Sequence, residues 1–173
     1  MKETNRSPLN TALIFALGIA VSIIGYYFIN TPEQSSKVVE ITGQQSDDLF
    51  NGLNHQAAQT VIDFHKAINS GDAEKVKALL AAAVLIYEGG GVESSAEEYA
   101  SHHLSADIEF LSNMNITSLE HRIEGTSDMA VSVSRSQLKG SYKDKSIDMK
   151  TMETIVLKKF GEHWKIIHIH WSN

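Results

Sequence analysis

The stretch His163-Trp-Lys-Ile-Ile-His-Ile-His-Trp171 closes the chain and decides how the residues before it are interpreted. Strict alternation predicts a β-strand with one face formed by Trp164, Ile166, His168 and His170. Residues 151–159 form the preceding strand, and the connection Phe160-Gly-Glu-His163 is typical of a hairpin. If Lys159 faces Trp164, a two-residue period places Glu153 opposite His170. The pattern therefore predicts a carboxylate and two imidazoles together on the inner surface of a sheet.

Composition excludes several classes of protein. The 173 residues carry a formal net charge of −6 and include no cysteine. The charge lacks the basic excess of nucleic-acid-binding proteins, so we expect no nucleic-acid partner. The absence of cysteine excludes disulfides, thiolate catalysis and cysteine–zinc sites. The length predicts one globular domain with an additional segment.

The additional segment is N-terminal. Residues 11–29 are almost continuously apolar and, at about 1.5 Å per residue, would span roughly 28 Å, close to the thickness of a bilayer core. Lys2 and Arg6 precede this run, whereas mainly acidic residues follow it, which predicts a cytoplasmic N-terminus. A cleaved signal peptide is the alternative, but no A-x-A-like site follows the run.

The expected organisation is a single-pass membrane protein that contacts lipid through its anchor. Its segments are a cytoplasmic N-terminus at 1–10, a transmembrane anchor at 11–29, a polar linker at 30–52 and a folded domain at 53–173. The domain is expected outside the cytoplasm, in the periplasm or at the cell surface if the source is bacterial.

Three helices are predicted at the start of the domain. An apolar stripe marks the first, with Gly71 suited to its end, and Asp72 is placed to cap the second. Capping boxes at Ser94 and Ser95 begin a third helix that runs to about Ser112. Strands dominate the remainder, which predicts an α+β domain with an antiparallel meander.

Several segments resemble a known superfamily. Residues 61–72 (VIDFHKAINSGD) resemble the opening helix of the nuclear transport factor 2-like (NTF2-like) superfamily. Residues 99–110, 153–157 and 164–172 are similar to the third helix and closing strands of its SnoaL-like and DUF4440-like branches. The resemblance implies a cone in which three N-terminal helices pack on a curved antiparallel sheet around a pocket, with a possible homodimer through the sheet. Because the superfamily includes isomerases, dehydratases, cyclases and non-catalytic binding modules, the resemblance implies no single activity.

Metal binding is one hypothesis for the closing strand. His168 and His170 would lie roughly 6.5–7 Å apart on one face, a separation compatible with two metal ligands. Glu153 is a candidate third ligand, and His102 or His103 could complete a site for a divalent transition metal such as zinc or copper. The alternative is that these residues line a pocket that holds no cofactor.

A second constellation is His103 with Asp107, four residues apart on one helix. A carboxylate that orients an imidazole is the usual preparation of a general base, although the same spacing also stabilises a helix. These two residues and His170 are the catalytic candidates. His65 is expected at the surface.

The expected function is non-catalytic binding of a small molecule, without a cofactor, in the pocket of the cone. The predicted ligand-binding residues are Tyr87, His103, Arg135, Glu153, Trp164, His168 and His170. A metal-binding module and a cofactor-independent isomerase, dehydratase or cyclase with a His–carboxylate pair remain the alternatives.

Overall fold

The computed structural model describes residues Leu49–Asn173 and shows four helices and one seven-stranded sheet. The elements in chain order are β1 (Phe50–Asn51), α1 (Ala58–Ser70), α2 (Ala73–Leu79), β2 (Leu80–Glu88), β3 (Gly91–Glu93), α3 (Ala96–His102), α4 (Leu104–Ser112), β4 (Met114–Gly125), β5 (Met129–Tyr142), β6 (Lys145–Phe160) and β7 (His163–Ser172). The predicted α+β class is confirmed.

The predicted cytoplasmic segment, the anchor at 11–29 and nearly all of the 30–52 linker lie outside the described residues. From Leu49 onward, no helix combines the length and the apolar character needed to cross a membrane.

The helix boundaries follow the local signals in the sequence. Gly71 adopts φ +77° after α1, a conformation that glycine enters without steric cost. An Asp72 carboxylate oxygen accepts the Lys75 N–H at 3.0 Å, and the Ser95 hydroxyl accepts the Glu98 N–H at 3.0 Å. The N-caps predicted at Asp72 and Ser95 are therefore present, at the starts of α2 and α3, and Ser94 lies one residue before the second cap.

The predicted third helix is divided in two, so three helices become four. At His103 the backbone φ of −114° departs from helical geometry, which ends α3 and lets α4 begin in a new direction. α3 packs on β2, whereas α4 packs on α1 and β4. The change of direction buries both Tyr99 and Leu104, which one straight helix would present at different angles to the core.

The sheet is mixed and not wholly antiparallel as predicted. Its strand order is β1-β4-β5-β6-β7-β2-β3, and the β1–β4 and β2–β7 pairs are parallel. β2 lies beside β7, the last strand of the chain. Because a long stretch of sequence separates these two strands, they can pair in parallel, whereas strands joined by a short hairpin must pair antiparallel.

The predicted register of the β6–β7 hairpin is correct near the turn and wrong farther from it. Lys159 faces Trp164 and Leu157 faces Ile166, as predicted, but Val156 then faces His168 because Ile167 is an extra bulged residue. From that point every side chain of β7 lies on the face opposite to the one predicted.

The bulge has a clear energetic reason. It turns Ile169, which is 0% exposed, and the indole of Trp171 toward the helices. Burying an isoleucine side chain contributes about 1.5–3 kcal/mol, whereas burying an imidazole without a partner costs free energy. The expected grouping of Glu153 with His168 and His170 on one face is therefore wrong.

Candidate functional site

A line of five side chains crosses the helix-covered face of the sheet. Successive strand pairs align His121 with Ser134, Ser134 with Glu153, Glu153 with Trp171, and Trp171 with Glu88. We call these five residues the inner row. It is polar except for the indole body of Trp171 and lies among the apolar residues of the core.

Glu153 is the centre of the inner row, and its side chain is only 11% exposed. His65 from α1 places Nε2 at 3.0 and 3.1 Å from the two carboxylate oxygens. Trp171 Nε1 donates to the carboxylate at 2.8 Å, and the Ser134 hydroxyl donates at 3.2 Å. Partners from three elements therefore satisfy one buried acid.

These contacts keep Glu153 ionised. Burial opposes its ionisation, but the charge of His65 and the hydrogen bonds from His65, Trp171 and Ser134 outweigh burial and hold the pKa of Glu153 below its usual value. Burial likewise opposes protonation of His65, but attraction to Glu153 and their hydrogen bond raise the pKa of His65. The His65 side chain remains 36% exposed, so this ion pair lies at an opening and not in a sealed core.

His121 extends the inner row beyond this pair. Its Nε2 lies 2.9 Å from the Ser132 hydroxyl, and its ring centroid is 6.4 Å from that of His65. Burial and the nearby charge of His65 lower the pKa of His121, although Glu153 partly opposes them. The pKa values of these two neighbouring imidazoles are therefore shifted in opposite directions.

Two further titratable groups, the Tyr99 hydroxyl and the Asp107 carboxyl, meet near the Glu88 end of the inner row. The Tyr99 hydroxyl donates to Asp107 Oδ2 at 2.8 Å, and the Tyr99 ring lies 6.2 Å from the Trp171 ring. Burial raises the pKa of Asp107, opposed by the Tyr99 hydrogen bond and the charge of His103. Burial and the adjacent Asp107 raise the pKa of Tyr99 well above its usual value.

Glu88 ends the row beside Asp107. As a whole residue it is exposed, yet the surrounding protein limits the hydration of its carboxyl group. Loss of hydration, together with the negative charge of Asp107, raises the pKa of Glu88 to about 7. Carboxyl groups with such displaced pKa values are characteristic of functional sites.

The predicted His103–Asp107 dyad is not formed by a direct bond. His103 Nδ1 contacts Oε1 of Glu93, a carboxylate in a buried residue, while Asp107 takes its hydrogen bond from Tyr99. His102 is exposed at the end of α3. Asp107 and His103 are therefore neighbours, each with a different principal partner.

Four of the predicted site residues lie on the opposite, outer face of the sheet. His168 Nδ1 lies 3.0 Å from the Leu85 carbonyl oxygen, and its ring packs edge-on against Tyr87 at 5.4 Å. His170 is exposed and paired in register with Thr154. Arg135 Nε lies 3.7 Å from a Glu120 carboxylate oxygen and does not reach Glu153.

Trp164 is on the inner face but away from this cluster. It is 8% exposed and packs edge-on against His55, with ring centroids 5.4 Å apart. Its position identifies Trp164 as part of the core beneath the start of α1.

The residues proposed as metal ligands do not converge. Glu153 lies on the inner face, His168 and His170 on the outer face, and His102 at the surface. Across Leu49–Asn173, no group of three or more His, Asp or Glu side chains is arranged to hold a metal ion. The donor set therefore does not fit the zinc or copper hypothesis.

Sequence reasoning missed all three partners of Glu153, which are His65, Ser134 and Trp171. His65 was expected at the surface, but it reaches Glu153 across 88 positions of sequence. Trp171 was given no role in the predicted site, and the bulge brings it opposite Glu153. The doublet Ile166-Ile167, which interrupts strict alternation, was the available signal for that bulge.

Comparison with known proteins identifies the family of this domain. The model of the SnoaL-like domain matches residues 57–173. No curated protein sequence matches the chain significantly. A solved structure from Shewanella frigidimarina, whose assignment as a ketosteroid isomerase is provisional, is 49% identical with a TM-score of 0.69, and the match covers 71% of this chain and 99% of that one.

More distant structures share the fold alone. An NTF2-like protein of unknown function from Pseudomonas putida is 15% identical with a TM-score of 0.55, covering 66% of this chain and 81% of that one. The association domain of CaMKII from C. elegans is 16% identical with a TM-score of 0.55, covering 66% and 91%. The family match over the whole folded domain, together with the NTF2-like α+β architecture, shows that this chain belongs to the SnoaL-like domain family.

Proposed function

We propose that the domain binds a small organic molecule at the inner row. The observation that carries the proposal is the ionised Glu153, held by donors from α1, β5 and β7, with the partly exposed His65 at its opening. A core needs no such arrangement, because burying polar groups adds little stability over apolar packing. Fixed donors and acceptors beside aromatic walls are typical of ligand pockets.

The ligand is expected to contact the His65–Glu153 pair and the neighbouring rings. Trp171 supplies flat apolar surface and is backed by the buried Tyr99 ring, while Asp107 and His121 supply polar groups on either side. The expected ligand is therefore a compact molecule with an apolar body and at least one hydrogen-bonding group. No cofactor is required for binding of this kind.

Tryptophan fluorescence tests this proposal directly. The chain contains two tryptophans, so Trp164→Phe leaves Trp171 as the single reporter in the inner row. The full-length Trp164→Phe protein should change its emission when small molecules from a metabolite library bind. The same titration in Trp164→Phe/Glu153→Gln should lose the response, whereas Trp164→Phe/Glu124→Gln, altered at an exposed acid, should keep it. A response that persists without the Glu153 carboxylate would contradict the proposed site.

Proton transfer is a second candidate function. Asp107 has a raised pKa and accepts a hydrogen bond from Tyr99, an arrangement suited to an acid–base group. The 49% identical structure from Shewanella frigidimarina supports testing ketosteroid isomerisation. Conversion of a β,γ-unsaturated ketosteroid to its conjugated isomer, followed by ultraviolet absorbance, should be lost in Asp107→Asn. No conversion by the unaltered protein would leave this candidate without support.

The outer face is proposed as a homodimer interface centred on β5 and β6. Val131 and Val133 lie two residues apart on β5, and Met152 of β6 is diagonal to Val133; all three are 40–53% exposed. Contiguous exposed apolar residues are typical of interaction surfaces. Analytical ultracentrifugation of the full-length protein should show a dimer that Val133→Glu converts to monomer.

Membrane anchoring through residues 11–29 is proposed from the sequence alone. The uncharged run and the flanking charges support a single span with the SnoaL-like domain outside the cytoplasm. In this arrangement, protease added to spheroplasts of an expressing bacterium should degrade the domain, whereas a cytoplasmic control protein should remain intact. Protection of the domain in spheroplasts would contradict the proposed orientation.

A further inference from the structure

The Glu153 carboxylate has no hydrogen-bonding capacity left for a ligand. Its Oε1 accepts from His65 Nε2 at 3.0 Å and from the Ser134 hydroxyl at 3.2 Å. Its Oε2 accepts from the same imidazole nitrogen at 3.1 Å and from Trp171 Nε1 at 2.8 Å. An ionised carboxylate offers about four acceptor positions, and protein donors occupy all of them. A ligand at the inner row therefore bonds the groups around Glu153 and not the acid itself.

His65 supplies one free donor. An ionised carboxylate only accepts hydrogen bonds, so Nε2 of His65 carries the hydrogen that Glu153 accepts. The other ring nitrogen, Nδ1, has no hydrogen-bond partner within Leu49–Asn173. In the imidazolium form this Nδ1 is a second N–H donor, and it is directed to a different side of the ring from Glu153.

His121 supplies another donor beside the first. Its Nε2 lies 2.9 Å from the hydroxyl of Ser132, a residue that is 1% exposed. A buried hydroxyl without an acceptor is costly, and Nε2 is the partner that the described side chains offer it, so the Ser132 hydroxyl donates to Nε2. The hydrogen of the neutral His121 ring is therefore on Nδ1, which has no partner in the part of the chain that the structure describes.

Both Nδ1 atoms are accessible and close to each other. From Leu49 onward, the buried side-chain nitrogens that lack a partner belong to Arg122 and Trp164, so neither of these two imidazole nitrogens is sealed in the core. The centroids of the His65 and His121 rings are 6.4 Å apart, with 58° between the ring planes. Two N–H donors at this separation match the two oxygens of one carboxylate.

The charges along the inner row favour the imidazole end for an anion. The acids Glu88 and Asp107 lie at the other end. His121 and Glu88 are four strands apart in the sheet, which is roughly 19 Å at about 4.8 Å per strand. The charge of Glu153 is balanced by His65, which lies against it.

Trp171 offers a surface for the rest of the ligand. Its indole N–H and the His65 imidazole donate to the same oxygen of Glu153, so the two rings are neighbours. An apolar group attached to an anion at His65 therefore reaches the indole face.

We infer that the ligand of the inner row is a small carboxylic acid, held as its carboxylate by the Nδ1–H groups of His65 and His121, with its apolar body against Trp171. The inference rests on the proposed function and gives that ligand its chemical class. Glu153 is then a positioning residue, because it orients His65 without bonding the ligand.

Affinity for a carboxylate should fall as pH rises. Nδ1 of His65 carries a hydrogen only in the imidazolium; burial opposes that form, but the charge and hydrogen bond of Glu153 outweigh burial and raise the pKa of His65. The titratable groups that face this ring are Glu153 from β6, which stays ionised, and His121 from β4, whose donor is present in its neutral form. Binding should therefore weaken at least about threefold between pH 6 and pH 9.

Isothermal titration of the full-length protein with cyclohexanecarboxylate tests the inference, with cyclohexyl methyl ketone as a neutral probe of matched shape. At pH 6 the carboxylate should bind at least about tenfold more tightly than the ketone. His65→Phe should weaken carboxylate binding about tenfold, and so should His121→Phe combined with Ser132→Ala, which leaves no buried hydroxyl without an acceptor. His163→Phe, at an exposed histidine where β7 begins, is the matched control and should bind normally.

Proton–nitrogen correlation spectra of the imidazoles separate direct contact from a structural role. Cyclohexanecarboxylate should shift the Nδ1 resonances of His65 and His121 and leave those of His163 in place. Equal binding of the two probes, unchanged affinity in both imidazole variants, or Nδ1 resonances that do not move would overturn the inference.

Failure of the inference and failure of the proposed function give different results. If cyclohexanecarboxylate does not bind while Trp171 emission still responds to other metabolites, the carboxylate assignment is overturned and the proposed binding site stands. If Trp171 emission responds to no small molecule, both are overturned.

Discussion

At the level of Glu153, the two faces of the sheet are built from the same strands but carry side chains of different chemistry. The inner row is mostly polar, and Glu153 at its centre accepts hydrogen bonds from its neighbours Ser134 and Trp171. On the outer face, the equivalent row runs through Val133, Thr154 and His170, which are more accessible to solvent. Residues one position apart in sequence therefore have different partners and different expected roles.

The largest expected difference between the two faces is the loss of unfolding free energy when an aromatic side chain is removed. Trp164→Ala should lower the free energy of unfolding by on the order of 3–5 kcal/mol, because the indole is 8% exposed and packed in the core. Phe160→Ala, on the outer face and 49% exposed, should cost less than about 1 kcal/mol. Urea denaturation of both variants at pH 7 measures the contrast. Equal losses would show that the outer face is as buried in solution as the inner one.

The central carboxylate gives the next largest contrast. Glu153→Ala leaves Trp171 Nε1 and the His65 ring without their acceptor, and should cost about 2 kcal/mol. Thr154→Ala, one position away and on the other face, should change stability by no more than about 0.5 kcal/mol. The same denaturation experiment applies. A larger effect at Thr154 than at Glu153 would mean that the register assigned here is wrong.

The stabilisation by the His65–Glu153 pair is expected to depend on pH, with a smaller effect that is lost at both low and high pH. Because the pKa of Glu153 is lowered on folding, its stabilisation is lost as pH falls below the unfolded value of 4.5 and through the folded value. Because the pKa of His65 is raised, its stabilisation is present below 6.5 and is lost as pH rises through the folded value.

The melting temperature tests this pair. The difference between the unaltered protein and Glu153→Gln should be largest near pH 5–6 and should shrink toward pH 3 and pH 9. A difference that does not vary with pH would indicate that the two groups contact each other only as neutral partners.

Glu88 should show the smallest effect, with the opposite sign at high pH. Its raised pKa means that ionisation destabilises the folded state as pH rises from the unfolded value of 4.5 through about 7. Glu88→Gln should therefore raise the melting temperature at pH 8 and leave it nearly unchanged at pH 4. A variant that is less stable at pH 8 would show that the ionised carboxylate has a cationic partner in the folded protein.

Much of the fold could be predicted because its signals are local. The caps at Asp72 and Ser95, the glycine at 71 and the alternation of the long strands each act within a few residues, and together they predict helices followed by a meander. The resemblance in the segments 61–72 and 153–157 supplied the family.

The site was predicted only in part. Glu153 and Asp107 were identified as candidate site residues. Their predicted partners, His170 and His103, are not the residues that they bond. The candidate roles of Tyr87, His168 and Arg135 in ligand binding remain predictions, now for residues on the outer face.

The sequence by itself determined the elements of this protein, because caps, turns and alternation depend on neighbours along the chain. Only the tertiary structure decided which residues meet. One extra residue at Ile167 exchanges the two faces of the last strand, and the free energy that selects the bulge comes from Ile169 and Trp171 packing against helices far away in sequence. The pairing of His65 with Glu153 has the same origin, since packing of α1 on the sheet brings together residues that no local rule connects.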